Sequence, residues 1–143
     1  KNNYVFQKYY EGIKGSFLML CHKGKCRVIC CNKQIIEIKN QRIRQIGCII
    51  GGLENYRKEI VNLANKISNG FNGLFGIIGV DIVKDGEKWL VVEVNARFTS
   101  SYCGLEYADN QKLIDDISEF YVKKVFNQNK INFFNKTKYF FNE

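Results

Sequence analysis

The sequence has 143 residues, which is the usual length of one domain, and its hydrophobic content of 45% with 14% aromatic residues is enough to form a core. No apolar run approaches the ~20 residues that a membrane-spanning helix needs, and no signal peptide is recognisable, so we expect a soluble, cytoplasmic protein without a membrane partner. The net charge is +8, but 17 of the 22 basic residues are scattered lysines, which favours a solvated surface over a nucleic-acid site.

The six cysteines show no CxxC spacing, and His22 has no partner at a zinc-finger spacing. Reduced thiols in a core are therefore expected, as is usual in the cytosol.

The N-terminal half predicts an antiparallel meander, because β-rich runs alternate with short turns. Its three predicted strands cover residues 4–10, 16–22 and 26–31. Residues 32–34 interrupt this pattern before residues 35–38 resume it, and residues 40–52 are predicted to be irregular with some strand character.

Two amphipathic helices are predicted. The first covers residues 54–69 and ends at Gly70, and the second runs from about residue 110 to 126 with Asp109 or Asn110 as its cap. Residues 98–109 are predicted to form a polar loop. The apolar positions at helical spacing are Ile60, Leu63, Ala64, Ile67 and Phe71 in the first helix, and Leu113, Ile117, Phe120 and Tyr121 in the second.

The C-terminal tail, residues 127–143, mixes asparagine, lysine and aromatic residues. It could add a last strand or could need a partner surface, and the sequence leaves both open. With no repeat and no Pro- or Ser-rich linker, the whole chain, residues 1–143, is expected to be one α+β domain with a largely antiparallel sheet and two main helices.

A hairpin over residues 76–97 carries the chemistry. Two apolar runs flank an Asp85-Gly86 turn. Alternation would place Glu93, Asn95 and Arg97 on one face and Val92, Val94 and Ala96 on the other. Asp81 should lie near Glu93 across the strands, so these oxygen ligands could share one Mg²⁺ ion.

Gly79-Val80-Asp81, followed twelve residues on by Glu93-Val94-Asn95-Ala96-Arg97, resembles the magnesium-nucleotide signature of the ATP-grasp superfamily. The resemblance implies the C-terminal lobe of that fold, with ATP and Mg²⁺, or alternatively Mn²⁺, as cofactors. It implies that Asp81, Glu93 and Asn95 bind the metal and that Arg97 is catalytic, steadying the transferred phosphoryl group. A structural ion pair between Arg97 and Glu93 is the alternative.

A second, weaker resemblance concerns nucleotide binding. The run beginning Gln7-Lys8-Tyr9-Tyr10 resembles the adenine hinge of the superfamily, which implies that backbone groups at Lys8 and Tyr10 bind adenine. Glu11 would bind the ribose, or would be only a turn residue. Asn32 and Gln34 resemble an Asn-x-Gln pair that lies near the phosphates in some members.

Residues 93–105 look most like carboxylate-amine ligases of the archaeal tyramine-glutamate ligase type, with Ala96 in place of a frequent proline. The resemblance implies amide formation from a small carboxylate and an amine through an acylphosphate. The glycine-rich loop and lysine of such enzymes are expected in a missing N-terminal part, and the sequence leaves open whether this chain is active without it. A homo-oligomer stays open. The alternatives are a basic nucleic-acid-binding module, using Phe133, Phe134, Tyr139 and Phe140, or a non-catalytic interaction domain.

Overall fold

The computed structural model describes residues 6–107, 111–128, 130 and 136–141. Within them the chain forms six strands and three helices, with a short 3₁₀ turn at Glu54–Tyr56. The strands are β1 (Ile13–His22), β2 (Lys25–Lys39), β3 (Arg42–Ile50), β4 (Gly76–Asp85), β5 (Lys88–Asn95) and β6 (Thr137–Phe140). The helices are α1 (Arg57–Gly70), α2 (Ser100–Tyr107) and α3 (Gln111–Lys123).

All six strands belong to one sheet, in the order β5-β4-β1-β2-β3-β6, and every neighbouring pair is antiparallel. Tight turns explain two of the pairings. Lys23 and Gly24 join β1 to β2 with φ angles of 49° and 72°, the left-handed conformation that a two-residue hairpin turn needs. Asn40 and Gln41 join β2 to β3 in the same way, with φ angles of 50° and 60°. The predicted α+β class with an antiparallel sheet is therefore confirmed.

The sheet has a hydrophobic core on each face. On the α1 face, Phe17 and Met19 pack with Ile60 and Ala64, and on the α2/α3 face, Leu18 and Leu20 pack with the second set of helices. The helical residues of this second core are Leu105, Leu113, Ile117 and Phe120. All six cysteines are free thiols, of which five are buried and Cys103 is exposed.

The first half of β2 has no strand on its outer side among the described residues, since β3 pairs only with residues 33–39. Side chains cover this edge instead. The Arg57 guanidinium donates hydrogen bonds to the carbonyls of Val28 and Ile29, each 2.9 Å long. Glu54 accepts from the Cys31 amide at 2.9 Å and also pairs with Arg57.

Three strand predictions were wrong. Residues 6–11 have no regular structure, whereas residues 1–5 lie outside the described part of the chain. β2 continues through residues 32–34, because its backbone there pairs with β1 on one side and with β3 on the other. The region from Arg42 to Ile50 is a regular strand for the same reason, since β2 and β6 flank it.

The prediction of a loop over residues 98–109 was wrong as well, because Ser100–Tyr107 is α2. Thr99 begins it: its carbonyl accepts from the Tyr102 amide at 2.9 Å, and its hydroxyl lies 3.1 Å from that of Ser101. The two predicted helices are otherwise confirmed as α1 and α3. The predicted caps Asp109 and Asn110 lie outside the described residues.

Within the tail, one of the two alternatives is found. Residues 137–140 form β6, which pairs with β3. Tyr139 packs against the second core while Phe140 is exposed. Phe133 and Phe134 lie outside the described residues. In the described part of the chain, no helix has the length and apolar character required to cross a membrane.

The predicted hairpin is confirmed as β4 and β5, with one irregularity. Asp81 pairs with Glu93 but Ile82 pairs with Val91, so Val92 forms a bulge. Because the bulge breaks the alternation, Val92 is 46% exposed and does not join the packing face as predicted, whereas Val94 does. Asp81 and Glu93 are direct cross-strand partners, whereas the sequence predicted only that they lie near each other.

Candidate active site

A row of polar side chains crosses four strands on the α2/α3 face. The register pairs Glu93 with Asp81, Asp81 with Ser16, and Ser16 with Asn32. Residues directly opposite one another in antiparallel strands point to the same face. Ser16 and Asn32 are buried, and neither the Ser16 hydroxyl nor the Asn32 amide nitrogen has a hydrogen-bond partner. Buried polar groups of this kind need a hydrogen-bond partner, which water or a bound ligand can supply at this row.

Asp81 is at the centre of a hydrogen-bond network. Its Oδ1 accepts from the Gln34 amide at 2.8 Å, and its Oδ2 accepts from the Asn95 amide at 3.3 Å. The Arg97 guanidinium donates to Asn95 Oδ1 at 3.3 Å and to the Phe98 carbonyl at 3.1 Å. The amides therefore orient the carboxylate, and Arg97 orients one of the amides.

Burial raises the pKa of the Asp81 carboxyl above its usual value, and the charge of Glu93 raises it further. The hydrogen bond from Gln34 and the positive charge of Arg97 act in the opposite direction but do not outweigh burial. Two carboxylates held side by side repel each other unless a cation lies between them. The site therefore has the electrostatics of a cation-binding pair.

A polar cavity of about 240 Å³ opens in front of Asp81 and Glu93. Asn95, Arg97 and Ser16 also line it, and the start of α2 closes one side with Thr99, Ser100 and Ser101. Gly79 is needed here, because a Cβ at this position would lie 2.3 Å from the Thr99 methyl group. The hairpin and the start of α2 thus approach each other closely enough to share one site.

An apolar cavity of about 270 Å³ adjoins the polar one, and Asp81 lines both. Ile36, Ile43 and Leu90 contribute aliphatic side chains to it, and the segment Gln7-Lys8-Tyr9-Tyr10 covers it. Its size and lining suit a flat heterocycle.

Lys14 holds the covering segment in place. Its ammonium group donates to the carbonyls of Tyr10 and Gly12 and lies 4.6 Å from the centre of the Tyr9 ring. The segment has no regular secondary structure, so these contacts fix its path over the apolar cavity.

The structure brings most of the predicted site residues to these two cavities. Asp81, Glu93, Asn95 and Arg97 line the polar one, and Gln7, Lys8 and Tyr10 line the apolar one. Two predicted residues lie apart. Glu11 is exposed and lines neither cavity, and Asn32 is buried beneath the site, where its Oδ1 accepts from the Gly51 amide at 3.2 Å.

Besides the aliphatic lining of the apolar cavity, sequence reasoning missed four residues at the site: Lys14, Ser16, Gln45 and Phe141. Ser16 carried a weak signal, since it is a polar residue at the start of an otherwise apolar run. The other three had none, because their position depends on the pairing of distant strands.

The donor set fits a hard divalent cation. The two carboxylates of Asp81 and Glu93 are ligands that Mg²⁺ accepts, with water and phosphate oxygens completing its shell. Asn95, whose Oδ1 here accepts from Arg97, would add this oxygen after rotation of its amide group. No group of three His, Cys, Asp or Glu side chains able to hold a metal by themselves occurs among the described residues.

Comparisons with known proteins show which family the chain resembles. Residues 1–101 match the ATP-grasp domain. The chain is 27% identical over 108 residues to the tyramine–L-glutamate ligase of Methanocaldococcus jannaschii and 28% identical over 104 residues to that of Methanocaldococcus fervens. Each alignment covers 73% of this chain, but only 32% and 34% of the respective relative.

Solved structures give the same result for the fold. An ATP-grasp superfamily protein from Archaeoglobus fulgidus has a TM-score of 0.65 at 27% identity, covering 78% of this chain and 36% of that one. An L-amino acid ligase from Bacillus licheniformis has a TM-score of 0.56 at 18% identity, covering 72% and 26%. The chain spans about a third of the length of the curated relatives it matches. With the domain match covering most of its length, the chain belongs to the ATP-grasp family.

Proposed function

We propose that this chain forms the nucleotide- and magnesium-binding part of an ATP-dependent carboxylate–amine ligase of the cytoplasm. The observation that carries the proposal is the position of Asp81, which lies in the wall shared by an apolar cavity and a polar one. A nucleotide likewise has an apolar part and a polar part, with a flat base at one end and charged phosphates at the other. ATP-grasp enzymes use ATP, which agrees with this division.

In this arrangement the adenine occupies the apolar cavity. Its edge is recognised by backbone groups of Lys8 and Tyr10, in the segment that Lys14 holds over the cavity. Recognition through the backbone leaves the side chains of this segment free to vary in type. The ribose role of Glu11 stays a prediction.

The phosphates extend from Asp81 into the polar cavity. Asp81, Glu93 and Asn95 are the residues that would hold Mg²⁺ there. When bound, such an ion neutralises the phosphate charge that develops during transfer. Arg97 lies in the same cavity with one side open to solvent, where its guanidinium can bind an oxygen of the transferred group.

The proposed reaction has two steps. A carboxylate oxygen of the substrate attacks the γ-phosphorus of ATP, the bond to the β-phosphate oxygen breaks, and ADP leaves. The nitrogen of the amine then attacks the carbonyl carbon of the acylphosphate, inorganic phosphate leaves, and the nitrogen loses a proton to give the amide. The role of this chain is to position the nucleotide and stabilise charge on the phosphoryl group.

The test compares Glu93→Ala with the native gene product that contains this chain. Calorimetry with magnesium and a non-hydrolysable ATP analogue measures binding, and ADP release with pairs of carboxylates and amines measures turnover. Because Glu93 would be a metal ligand, we expect its loss to weaken magnesium–nucleotide binding at least about tenfold and turnover at least about a hundredfold.

Glu87→Ala is the matched control, since Glu87 is an exposed acidic residue in the turn of the same hairpin. It should leave both measurements unchanged. Unaltered binding in Glu93→Ala would rule out this metal site. Tight nucleotide binding without ADP release for any pair of substrates would rule out the ligase reaction while leaving the nucleotide site intact.

A further inference from the structure

Phe141, the residue that follows the C-terminal strand β6, lies at the polar cavity although it is beyond residues 1–101, which match the ATP-grasp domain. β6 pairs with β3, and just beyond it the Phe141 amide donates to the Ile46 carbonyl at 2.9 Å. Phe141 lines the same cavity as Asp81, Glu93 and Arg97. A segment outside the matched domain therefore supplies one wall of the site.

The position of the Phe141 ring is fixed by its neighbours. It lies edge-to-face with Tyr139, with 5.9 Å between ring centres, and Tyr139 in turn stacks on Tyr107 of α2 at 5.3 Å. Gly104 lets α2 approach closely, because a Cβ there would lie 2.8 Å from the Ile50 side chain and 3.3 Å from the Tyr139 ring. Packing against the second core therefore holds the ring in place.

Phe141 differs in kind from the rest of the cavity. The other lining residues are polar or charged, apart from Gly79 and the buried Val80. Phosphates and a metal ion need charges and hydrogen-bond donors, and an aromatic face offers neither. The natural ligand for such a face is the carbon skeleton of an organic molecule.

We propose that Phe141 is a specificity-determining residue for the carboxylate substrate, an inference that rests on the proposed ligase function. Its ring contacts the carbon atoms next to the reacting carboxyl group. It favours substrates with methylene or aromatic carbons there and disfavours those with a second charge, because the ring cannot hydrogen-bond a charge that loses its water. Phe141, which directly follows β6, then sets the substrate range of the ATP-dependent site.

The experiment measures ADP release by the native gene product and by Phe141→Ala with a panel of carboxylates. The panel contains malonate, butyrate, 3-phenylpropionate and the L-amino acids, each with tyramine as the amine. We expect Phe141→Ala to raise the KM for the preferred carboxylate about tenfold and to reduce its preference over malonate. The KM for ATP should stay within about twofold.

Two further variants complete the design. Phe140→Ala is the matched control, because Phe140 is the adjacent aromatic residue, is exposed and lies outside the cavity, so it should change neither value. Phe141→Leu keeps an apolar side chain and should retain part of the preference. If circular dichroism shows that Phe141→Ala does not fold, the carboxylate preference of Phe141→Leu is compared with that of the unaltered protein instead. An unchanged order of carboxylates in Phe141→Ala, or an equal rise in the KM for ATP, would overturn the proposal.

If the unaltered protein releases no ADP with any pair, the ligase function fails, and the Phe141 contact is tested by binding alone. Saturation-transfer NMR on the same carboxylates, with magnesium and a non-hydrolysable ATP analogue present, reports which protons touch the protein. Signals from the methylene protons of butyrate that weaken in Phe141→Ala and persist in Phe140→Ala would support the contact. Equal signals in all three proteins would refute it.

Discussion

At the scale of single residues, Asp81 shows how the site differs from the core around it. It is half-buried, it faces the like charge of Glu93, and its pKa is raised chiefly by burial. A raised pKa means that the ionised carboxylate is less favourable in the folded chain than in the unfolded one. The residue is therefore suited to binding a cation at some expense in stability.

Asp81→Asn should raise the melting temperature of the metal-free protein by roughly 2 °C at pH 7, since it removes a charge that is disfavoured by burial and, second, by repulsion from Glu93. The difference should shrink as the pH falls towards about 4, because Asp81 then becomes protonated in both states. The variant should also lose stabilisation by Mg²⁺ and nucleotide together.

Thermal unfolding with and without these ligands measures both effects. Asp85→Asn, at the exposed end of β4, serves as the control and should change neither. A lower melting temperature of metal-free Asp81→Asn at pH 7 would contradict the account of Asp81.

At the scale of elements, a charged cluster fastens α3 to the sheet. Arg27 on β2 is buried and donates to Asp116 on α3 at 2.6 Å, and Lys130 pairs with the other oxygen of Asp116 at 2.8 Å. Burial acts to raise the pKa of Asp116, but the hydrogen bonds from Lys130 and Arg27 outweigh it, so that the pKa is lowered. The cluster holds the helix whose apolar stripe covers the second core.

Asp116→Ala should cost about 3 kcal/mol of unfolding free energy at pH 7, because it leaves the buried Arg27 charge without its partner. Since the pKa is lowered, the stabilisation by Asp116 is present above the ordinary aspartate value and is lost as the pH falls through the lower, folded-state value. The free energy of unfolding, measured with urea, should therefore fall less steeply in the variant than in the unaltered protein as the pH is lowered from 7.

Glu119→Ala is the control for this measurement. Glu119 pairs with Lys123 on the same helix, and both side chains are largely exposed, so its loss should cost less than about 0.5 kcal/mol. Equal losses in the two variants would mean that the Arg27 contact is not what anchors α3.

The sequence predicted elements with strong local signals and missed those set by distant pairing. The Asp85-Gly86 turn and the apolar stripe of α1 identify their elements within a few residues. α2 was missed because Ser, Thr and Gly over residues 98–104 are typical of loops, although Thr99 in fact begins a helix. For the site, the resemblance identified Asp81 and Glu93, but Ser16 is placed beside Asp81 only by the pairing of β1 with β4.

At the scale of the whole molecule, one sheet supports both cavities, so a ligand that fills them should stabilise the entire fold. A non-hydrolysable ATP analogue with Mg²⁺, at about a hundred times its dissociation constant, should add about 2.7 kcal/mol of stability. In a chain of this size that corresponds to a rise of roughly 5–10 °C in melting temperature.

Fluorescence-monitored melting provides the measurement, with two comparisons. The analogue without Mg²⁺ should stabilise less, because the carboxylates of Asp81 and Glu93 repel unshielded phosphates. A single-stranded oligonucleotide tests the alternative that the charge of +8 serves nucleic acid. A larger shift with the oligonucleotide than with the magnesium–nucleotide complex would favour that alternative.

The Glu54–Arg57 pair has a consequence for the behaviour of the protein at high concentration. An uncovered strand edge is a template on which another chain can add a strand, and this is a common start of aggregation. Arg57 occupies the carbonyls of Val28 and Ile29, and Glu54 occupies the amide of Cys31. The first half of β2, which has no outer neighbouring strand in the described part of the chain, therefore offers little to an incoming chain. Two charged side chains at the start of one helix thus protect a hydrophobic strand from pairing with other molecules.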